Sequence, residues 1–304
     1  MDPRDPNVIT REYIDSLLIE ERLLGSSAPD VTTELFGRSF RTPVMMSALS
    51  HLESRYGSGM VEMAKGARDA GAVMWAGMGE LDELKAILDT GAGTVVIIKP
   101  YADERELASR IEVSERFGAI AVGMDLDHAY GHGTSEADVV LGHRMRMPSP
   151  EELRDIIRSA RLPFVVKGVL STRDAEGCAE LGCAGIVVSH HHGIYPCAVP
   201  PLMVLPAIRD TVGDRMKIIA ECGLRDGSDV FKALALGADG AALGRSVMQA
   251  VREEGAAGVA RIVETVTEEL KGLMARTASP SPDRIERSVI WREGVPVPEA
   301  GTKI

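Results

Sequence analysis

The chain has 304 residues, of which 45% are hydrophobic and 26% are charged, and its formal net charge is −11. This composition is typical of a globular protein, and the acidic balance excludes a nucleic-acid or anionic-membrane surface over the molecule as a whole. The sequence contains no apolar run of roughly 18 residues and no N-terminal signal-peptide pattern. Its four cysteines are too few for a disulfide framework. We therefore expect a cytoplasmic protein with free thiols and no membrane partner.

From Pro43 onward, short apolar runs alternate with amphipathic stretches, as in a parallel sheet covered by helices. Eight runs read as buried strands: Val44–Leu49, Ala72–Ala76, Thr94–Ile98, Ile120–Leu126, Phe164–Val169, Gly185–Ser189, Lys217–Ala220 and Gly240–Leu243. Helices are predicted over 57–70, 80–90, 103–117, 149–160, 172–182, 200–212, 227–236 and 247–274. Eight successive βα units predict an α/β fold of one domain, a (β/α)8 TIM barrel.

The barrel is expected to span residues 41–275, with flanking segments on both sides. Residues 1–40 are predicted to pack on the barrel as an N-terminal segment. Residues 276–304 contain several prolines and little periodicity, and they are predicted to form a C-terminal arm. The longest interruption inside the barrel, Asp127–Pro148, follows strand four and contains His128, His132 and His143. A loop of this length at the catalytic face predicts a lid or binding loop, with a mobile surface loop as the alternative.

Two glycine- and arginine-containing segments predict a phosphate site. After strand seven the chain reads Glu221-Cys222-Gly223-Leu224-Arg225, and after strand eight it reads Gly244-Arg245. Glycines allow the backbone to approach a ligand closely, helix N-termini present free N–H groups, and arginine binds phosphate with charge-assisted hydrogen bonds. The loops after strands seven and eight are the usual phosphate site of a TIM barrel. Pairing of both arginines with surface acids is the alternative.

A lysine and a run of histidines stand at the ends of strands five and six. Lys167 ends a buried strand, so it is expected to point into the barrel mouth, where it would stabilise an anion on a cofactor or form a Schiff base. His190, His191 and His192 follow strand six, and alternation along an extended chain directs His191 away from its neighbours. One imidazole there suits a general base. We expect nearby cations to keep His191 neutral at pH 7. Adjacent histidines are poorly placed to share one metal ion, so no metal is predicted.

On these motifs the chain resembles the FMN-dependent α-hydroxy-acid oxidases and dehydrogenases, such as glycolate oxidase and lactate oxidase. The resemblance runs from about Leu17 to Met248 and is strongest from Phe164 to Arg245, including the segment Asp229–Ala238. It implies FMN as cofactor, a small 2-hydroxy acid or related alcohol as substrate, and a homo-oligomer, specifically a tetramer. The electron acceptor would be oxygen or another carrier.

The resemblance also implies roles for individual residues. His191 would be the catalytic base, with Lys167 and Tyr101 beside it. The residues implied to bind the cofactor are Met46, Ser47, Ala48, Lys99, Lys167, Glu221, Gly223, Arg225, Gly244 and Arg245. Lys99 stands where the family usually has a glutamine, and Glu221 stands where it usually has an aspartate.

One departure concerns the substrate. The family continues from its histidine to an arginine that binds the substrate carboxylate, whereas this chain has Ile194, Tyr195 and Pro196 there. Arg144, Arg146 or Lys99 would then have to bind the substrate carboxylate. Two alternatives remain open: a flavin-dependent isomerase resembling type 2 isopentenyl diphosphate isomerase, and a non-redox barrel that binds a phosphorylated ligand.

Overall fold

A computed structural model of the chain describes residues 2–140 and 142–299. Within this part, eight parallel strands form one sheet around a barrel. In chain order they are β1 (Val44–Met46), β2 (Met74–Ala76), β3 (Thr94–Ile98), β4 (Ala121–Asp125), β5 (Phe164–Val169), β6 (Gly185–Val188), β7 (Lys217–Ala220) and β8 (Gly240–Leu243). β8 pairs with β1, and the gap between β1 and β2 is bridged where the Gly77 amide donates to the Leu49 carbonyl at 2.8 Å. The predicted (β/α)8 barrel is confirmed.

One helix follows each strand. These helices are α1 (Gly59–Ala70), α2 (Leu81–Leu88), α3 (Glu104–Arg116), α4 (Pro150–Ser159), α5 (Thr172–Leu181), α6 (Pro201–Val212), α7 (Gly227–Ala235) and α8 (Arg245–Arg276). Their ends lie within a few residues of the predicted ones. α8 differs from the continuous helix expected, because Gly255 has φ 62° and breaks it. A side chain at Gly255 would meet the Tyr56 ring at 2.8 Å. In the described residues, no helix combines the length and apolarity needed to cross a bilayer.

The barrel interior is closed at one end and polar at the other. Met45, Trp75 and Val165 pack inside the barrel, in one cluster with Leu35 and Phe40. Leu35 and Phe40 belong to a hairpin, Thr33–Leu35 with Arg38–Phe40, that precedes β1 and covers the N-terminal ends of the strands. Because that end is filled with apolar side chains, a ligand can reach the interior only from the carboxyl ends of the strands.

The two flanking segments fold against the barrel. The N-terminal helix Pro6–Ser16 begins at Asp5, whose side chain accepts from the Asn7 amide. It contacts the barrel mouth, since Arg11 donates to the Gly223 carbonyl at 2.9 Å and to Asp229 at 2.7 Å. The C-terminal strand Ile290–Arg292 pairs with Leu18–Ile19. The described parts of both flanking segments therefore pack on the barrel.

The predicted loop Asp127–Pro148 forms a folded hairpin. It begins with the 3-10 helix Leu126–Ala129 and continues into strands Val139–Val140 and His143–Arg144. The Ala102 amide donates to the Arg144 carbonyl at 2.9 Å, and the Arg146 amide donates to the Pro100 carbonyl at 2.8 Å. These bonds tie the hairpin to the end of β3, so it lies over one side of the barrel mouth.

Candidate active site

Buried polar side chains ring the barrel mouth. Six strands contribute one each, at or just beyond the carboxyl end: Ser47, Lys99, Asp125, Lys167, Ser189 and Glu221. Each is at most 8% exposed. Burying charges costs free energy unless they are paired, so this concentration marks the place where the fold holds polar groups for chemistry.

Asp125 is the centre of the buried charges. The Lys99 ammonium donates to Asp125 Oδ2 at 2.6 Å, and the Lys167 ammonium donates to Asp125 Oδ1 at 3.1 Å. Lys167 Nζ also lies 3.7 Å from Glu221 Oε2. Burial raises the pKa of Asp125, but the two lysines outweigh it and hold the pKa well below its usual range. Asp125 therefore stays ionised between two cations.

Lys167 is aimed into the mouth by an irregularity in β5. The pairing register with β6 shifts between Lys167 and Val169, and Gly168 between them has φ +92°. A side chain at Gly168 would lie 2.7 Å from Asp127 Cγ. Burial lowers the pKa of Lys167, but the carboxylates of Asp125, Glu221 and Asp127 raise it by more, so the net shift is upward. An ammonium held this firmly disfavours a Schiff base and favours a fixed positive charge.

His191 reaches the same cluster through a strained turn. β6 ends at Val188, and His191 and His192 have φ of 48° and 56°. His191 Nδ1 lies 2.8 Å from Asp127 Oδ1 and 2.9 Å from Lys167 Nζ. His190 instead contacts Thr10, and His192 contacts Arg245. The three histidine side chains point in different directions, as expected. The turn causes this divergence, not the alternation of side chains along a strand.

Nearby cations were expected to lower the pKa of His191, but its pKa is raised. Burial and Lys167 lower its pKa, but Asp125 and Asp127 raise it more, and the net shift is upward. The prediction took into account the lysines and arginines but not the two aspartates at the end of β4. Because Asp127 lies against Nδ1, the ring can hold a second proton on Nε2.

The loops after β7 and β8 form a second, more open part of the mouth. Arg225 and Arg245 are exposed, and Arg245 contacts Asn7 Oδ1 and His192 Nδ1, both at 3.0 Å. Among the described residues, α8 begins there without a side-chain cap, and the buried Ser246 hydroxyl has no hydrogen-bond partner. Two guanidinium groups, uncapped N–H groups and a spare hydroxyl are the donors that a phosphate group requires. The residues present therefore fit the FMN phosphate.

Several other predicted site residues are placed less directly. Met46 is fully buried in the layer between the strands and the helices, so only its backbone can face the mouth. Ala48 packs on the interior cluster, and the Ser47 amide donates to the Leu243 carbonyl at 2.8 Å. Tyr101 packs against His143, and its buried hydroxyl has no hydrogen-bond partner among the described residues. Their roles stay predictions.

Sequence reasoning missed Asp125, Asp127 and the N-terminal helix as parts of the site. A signal for Asp125 was present, because a charged residue ends an otherwise apolar strand just as Lys167 does. Asp127 carries the same signal two residues later. Thr10 and Asn7 gave no local signal, since only the tertiary fold brings them to His190 and Arg245.

A metal ion was not expected, and the geometry gives it little room. Asp125, His128 and His191 offer ligand atoms within 4.8 Å of one another. The Lys167 ammonium, however, lies 3.1 Å from Asp125 Oδ1 and 2.9 Å from His191 Nδ1. A cation already lies beside both atoms and would repel a second one, so we assign no metal to this cluster.

Comparison with known proteins identifies the family. The sequence profile of the FMN-dependent dehydrogenase family matches residues 9–149 and 132–292. The L-lactate oxidase of Alicycliphilus denitrificans is 39% identical over 142 residues, which cover 46% of this chain and 39% of that protein. The glycolate oxidase of Spinacia oleracea is 27% identical over 297 residues, which cover 86% of this chain and 80% of that protein.

Solved structures agree with the sequence comparison. A mandelate oxidase variant with a monooxide FMN adduct is 27% identical and superimposes with a TM-score of 0.84, covering 93% of this chain and 91% of that one. In sequence, the 4-hydroxymandelate oxidase of Amycolatopsis orientalis is also similar, with 28% identity over 302 residues, which cover 88% of this chain and 84% of that protein. The chain therefore belongs to the FMN-dependent dehydrogenase family, and FMN, the cofactor expected from its sequence, is the cofactor of that family.

Proposed function

We propose that the chain is an FMN-dependent oxidoreductase that oxidises a small 2-hydroxy acid or a related alcohol, with His191 as the catalytic base. One observation carries the proposal: His191 Nδ1 is anchored 2.8 Å from Asp127 and 3.3 Å from Asp125, at the mouth of a barrel of this family. A ring anchored at Nδ1 turns Nε2 away from both aspartates, and the substrate hydroxyl would take the place of His128 Nε2, which lies 3.0 Å from it. The family match favours this reaction over the isomerase and over the non-redox binding barrel.

The cofactor would be held from two sides. Arg225, Arg245 and the backbone at Gly223 and Gly244 would bind its phosphate, with the spare hydroxyl of Ser246 beside them. Lys167 would place a fixed positive charge against the ring system, and Ser47 and Ala48 would line it from the end of β1. Glu221 accepts from the Ser189 hydroxyl at 2.7 Å, which holds that side of the mouth in place.

Bound FMN supplies a two-electron acceptor for the hydride that leaves the carbon bearing the hydroxyl. The chain's residues handle the proton. His191 Nε2 accepts it from the substrate hydroxyl, which converts the ring to an imidazolium. Asp125 and Asp127 stabilise that imidazolium, since both lie within 3.3 Å of Nδ1. Lys167 keeps Asp125 ionised throughout.

The substrate end of the site differs from that of an ordinary hydroxy-acid oxidase. Ile194 is buried where the family arginine is expected, and it offers no charge. Two of the three replacements considered for that arginine are occupied, because Lys99 is paired with Asp125 and Arg146 donates to Glu152 at 2.7 Å. We therefore expect lactate and glycolate to be poor substrates. Turnover of either with the efficiency usual for an oxidase would contradict this expectation.

Several broader assignments belong to the same proposal. We propose a small-molecule substrate, oxygen or another carrier as electron acceptor, a homo-oligomer that is tetrameric, and a location in the cytoplasm. The division into an N-terminal segment 1–40, a barrel 41–275 and a C-terminal arm 276–304 is proposed as well. The N-terminal segment would contribute to the cofactor site through Asn7 and Arg11, which contact Arg245 and Gly223.

The purified protein tests the proposed function directly. We expect a yellow protein with a flavin spectrum, and bleaching of that spectrum when a hydroxy compound is added without oxygen. An isomerase would also be yellow but would show no net bleaching with its substrate. A colourless protein that takes up no FMN on reconstitution would leave only the non-redox binding barrel.

A further inference from the structure

The hairpin over the barrel mouth places a second histidine against the proposed base. His128 lies in the 3-10 helix that directly follows β4, and its Nε2 is 3.0 Å from His191 Nε2. The two rings meet edge to face, with centroids 4.3 Å apart. The oxidation proposed above requires a lone pair on His191 Nε2 but assigns no task to His128, which contacts that nitrogen until a substrate displaces it.

Asp138 determines which of the two rings donates the hydrogen bond between them. Asp138 Oδ2 lies 2.9 Å from His128 Nδ1, and its Oδ1 accepts from the Val139 amide at 2.9 Å, which fixes the carboxylate in the hairpin. A carboxylate only accepts hydrogen bonds, so the hydrogen of the neutral His128 ring is on Nδ1 and its Nε2 has a lone pair. The hydrogen between the rings is therefore on His191 Nε2.

A hydrogen on Nε2 prevents His191 from accepting the proton of a substrate hydroxyl. In the imidazolium form of His191, Nδ1 donates to Asp127 and Nε2 donates to His128. Loss of the Nε2 proton leaves the neutral form in which Nε2 can act as base, and each oxidation returns a proton to the same atom. Because the pKa of His191 is raised, the imidazolium persists to a higher pH than in an ordinary histidine. The Nε2 proton must therefore leave before every turnover.

The other neighbours of His191 are poor acceptors for that proton. The Lys167 ammonium, 2.9 Å from Nδ1, is a cation whose pKa is raised. Asp125 is paired with two lysines, and its pKa lies well below the usual range in spite of its burial. Asp127 contacts Nδ1 rather than Nε2. Among the described residues, the acceptor at Nε2 is His128, whose side chain is 16% exposed.

We propose that His128 is a proton relay, which takes the Nε2 proton of His191 after each oxidation and passes it to water. This inference rests on the proposed function, because it takes His191 as the base. The N–H bond on His191 Nε2 breaks, an N–H bond forms on His128 Nε2, and no electrons are transferred. When the next substrate hydroxyl displaces the His128 ring, the ring releases this proton to solvent. The substrate then meets a lone pair on His191 Nε2.

The charges around His128 suit a group that passes a proton on. Burial, followed by Lys99 and His191, lowers the pKa of His128 to about 4. Asp125 and Asp138 raise that pKa, but by less. A proton that reaches the ring is therefore released to water readily, and His128 returns to its neutral form. Asp138 keeps the hydrogen on Nδ1 throughout, so the lone pair is restored on Nε2, where the next proton arrives.

The exchange of His191 between its protonated and neutral forms tests the relay without a substrate. NMR relaxation dispersion on the FMN-loaded protein, with ¹³C- and ¹⁵N-labelled histidine and near the pKa of His191, gives the exchange rate. We expect His128→Phe, which keeps a flat ring but has no nitrogen, to slow this exchange by about tenfold or more. Free imidazole in the buffer should restore the rate. His132→Phe, at an exposed histidine of the same hairpin, is the matched control and should leave the rate unchanged.

Several outcomes would overturn the relay. One is wild-type exchange in His128→Phe. Another is slow exchange that imidazole does not restore, because a purely structural role predicts that result. The wild-type protein gives a further measurement that does not depend on a variant. Ring-nitrogen NMR at neutral pH should find hydrogens on His128 Nδ1 and His191 Nε2, and a hydrogen on His128 Nε2 would overturn the relay.

The proposed oxidation has its own test, the bleaching of the flavin, so the two proposals can fail separately. If a hydroxy compound bleaches the flavin but His128→Phe exchanges like the wild type, the oxidation stands and the relay is wrong. If the exchange behaves as expected but no compound bleaches the flavin, the oxidation is wrong and the proton transfer from His191 to His128 stands.

Discussion

The two sides of the barrel mouth are built on different principles. The side formed by the loops after β7 and β8 has exposed arginines, glycines and an uncapped helix start, and its donors point outward. The side formed by β3 to β6 has buried charges that bond to one another, with Asp125 between Lys99 and Lys167. The first side is suited to bind a charged group from solution. On the second side the buried charges pair with one another, and this pairing keeps His191 in a defined position.

This difference predicts how each side of the mouth should respond to mutation. A residue on the open side bonds mainly to the ligand, so its loss should weaken binding and leave the fold intact. A residue in the buried cluster bonds to other residues of the cluster, so its loss should leave a partner charge unpaired. The predictions below test that contrast.

The largest effect is expected for the base. His191→Gln should keep the yellow colour but slow the reduction of flavin by substrate by about 10²–10⁴-fold, because the substitution removes the group proposed to accept the hydroxyl proton. Stopped-flow absorbance without oxygen measures the rate. His190→Gln and His192→Gln should lose less. Wild-type rates in His191→Gln would show that the base lies elsewhere, for example at His128, His132 or His143.

A large loss of stability is expected for Asp125→Asn. The substitution leaves Lys99 and Lys167 without their shared counter-ion in a site where Asp125 is 2% exposed. We expect the free energy of unfolding in urea to fall by about 3–5 kcal/mol. Asp82→Asn, which breaks the exposed pair with Lys85, is the control and should cost little. Equal stability of the two variants would mean that the buried charges are not mutually dependent.

Variants on the open side should lose FMN binding rather than stability. Arg225→Ala and Arg245→Ala should each weaken FMN retention by about tenfold to a hundredfold, because each removes charge-assisted bonds to phosphate. Unfolding of the apoprotein should hardly change, since both side chains are exposed. Arg38→Ala is the matched control, because Arg38 is an exposed residue of the hairpin at the closed end of the barrel. Equal flavin content in all of these proteins would contradict the phosphate assignment.

The smallest effect is a pH dependence that follows from the raised pKa of His191. Below that pKa the ring already carries the second proton and cannot accept another, so flavin reduction should rise by about tenfold per pH unit and level off above the pKa. The plateau should begin above the usual histidine pKa of roughly 6.5. Asp127→Asn should move it to lower pH, because it removes one of the carboxylates that raise the pKa. A profile that falls with rising pH would exclude His191 as base.

The two sides of the barrel mouth also differ in how well the sequence predicts them. Gly223, Arg225, Gly244 and Arg245 could be proposed from the sequence because each loop carries its own glycine and arginine, so the motif is local in the chain. The partners of Lys167 were not recognisable, because Asp125, Asp127 and Glu221 come from other strands, 40 or more residues away. The direction of the His191 pKa shift was predicted wrongly for this reason. A pKa depends on all neighbouring charges, and the sequence identified only the positive ones.

The amino-acid sequence by itself determined the barrel, because eight apolar runs separated by amphipathic helices can be buried together only in a sheet covered on its outer face. It also predicts phosphate-binding loops after the last two strands. The tertiary structure alone decided that Asn7 meets Arg245 and that His128 meets His191. These contacts depend on how the N-terminal helix and the hairpin after β4 pack against the barrel. No local pattern of residues encodes that placement, because it follows from packing and hydrogen bonding across the mouth.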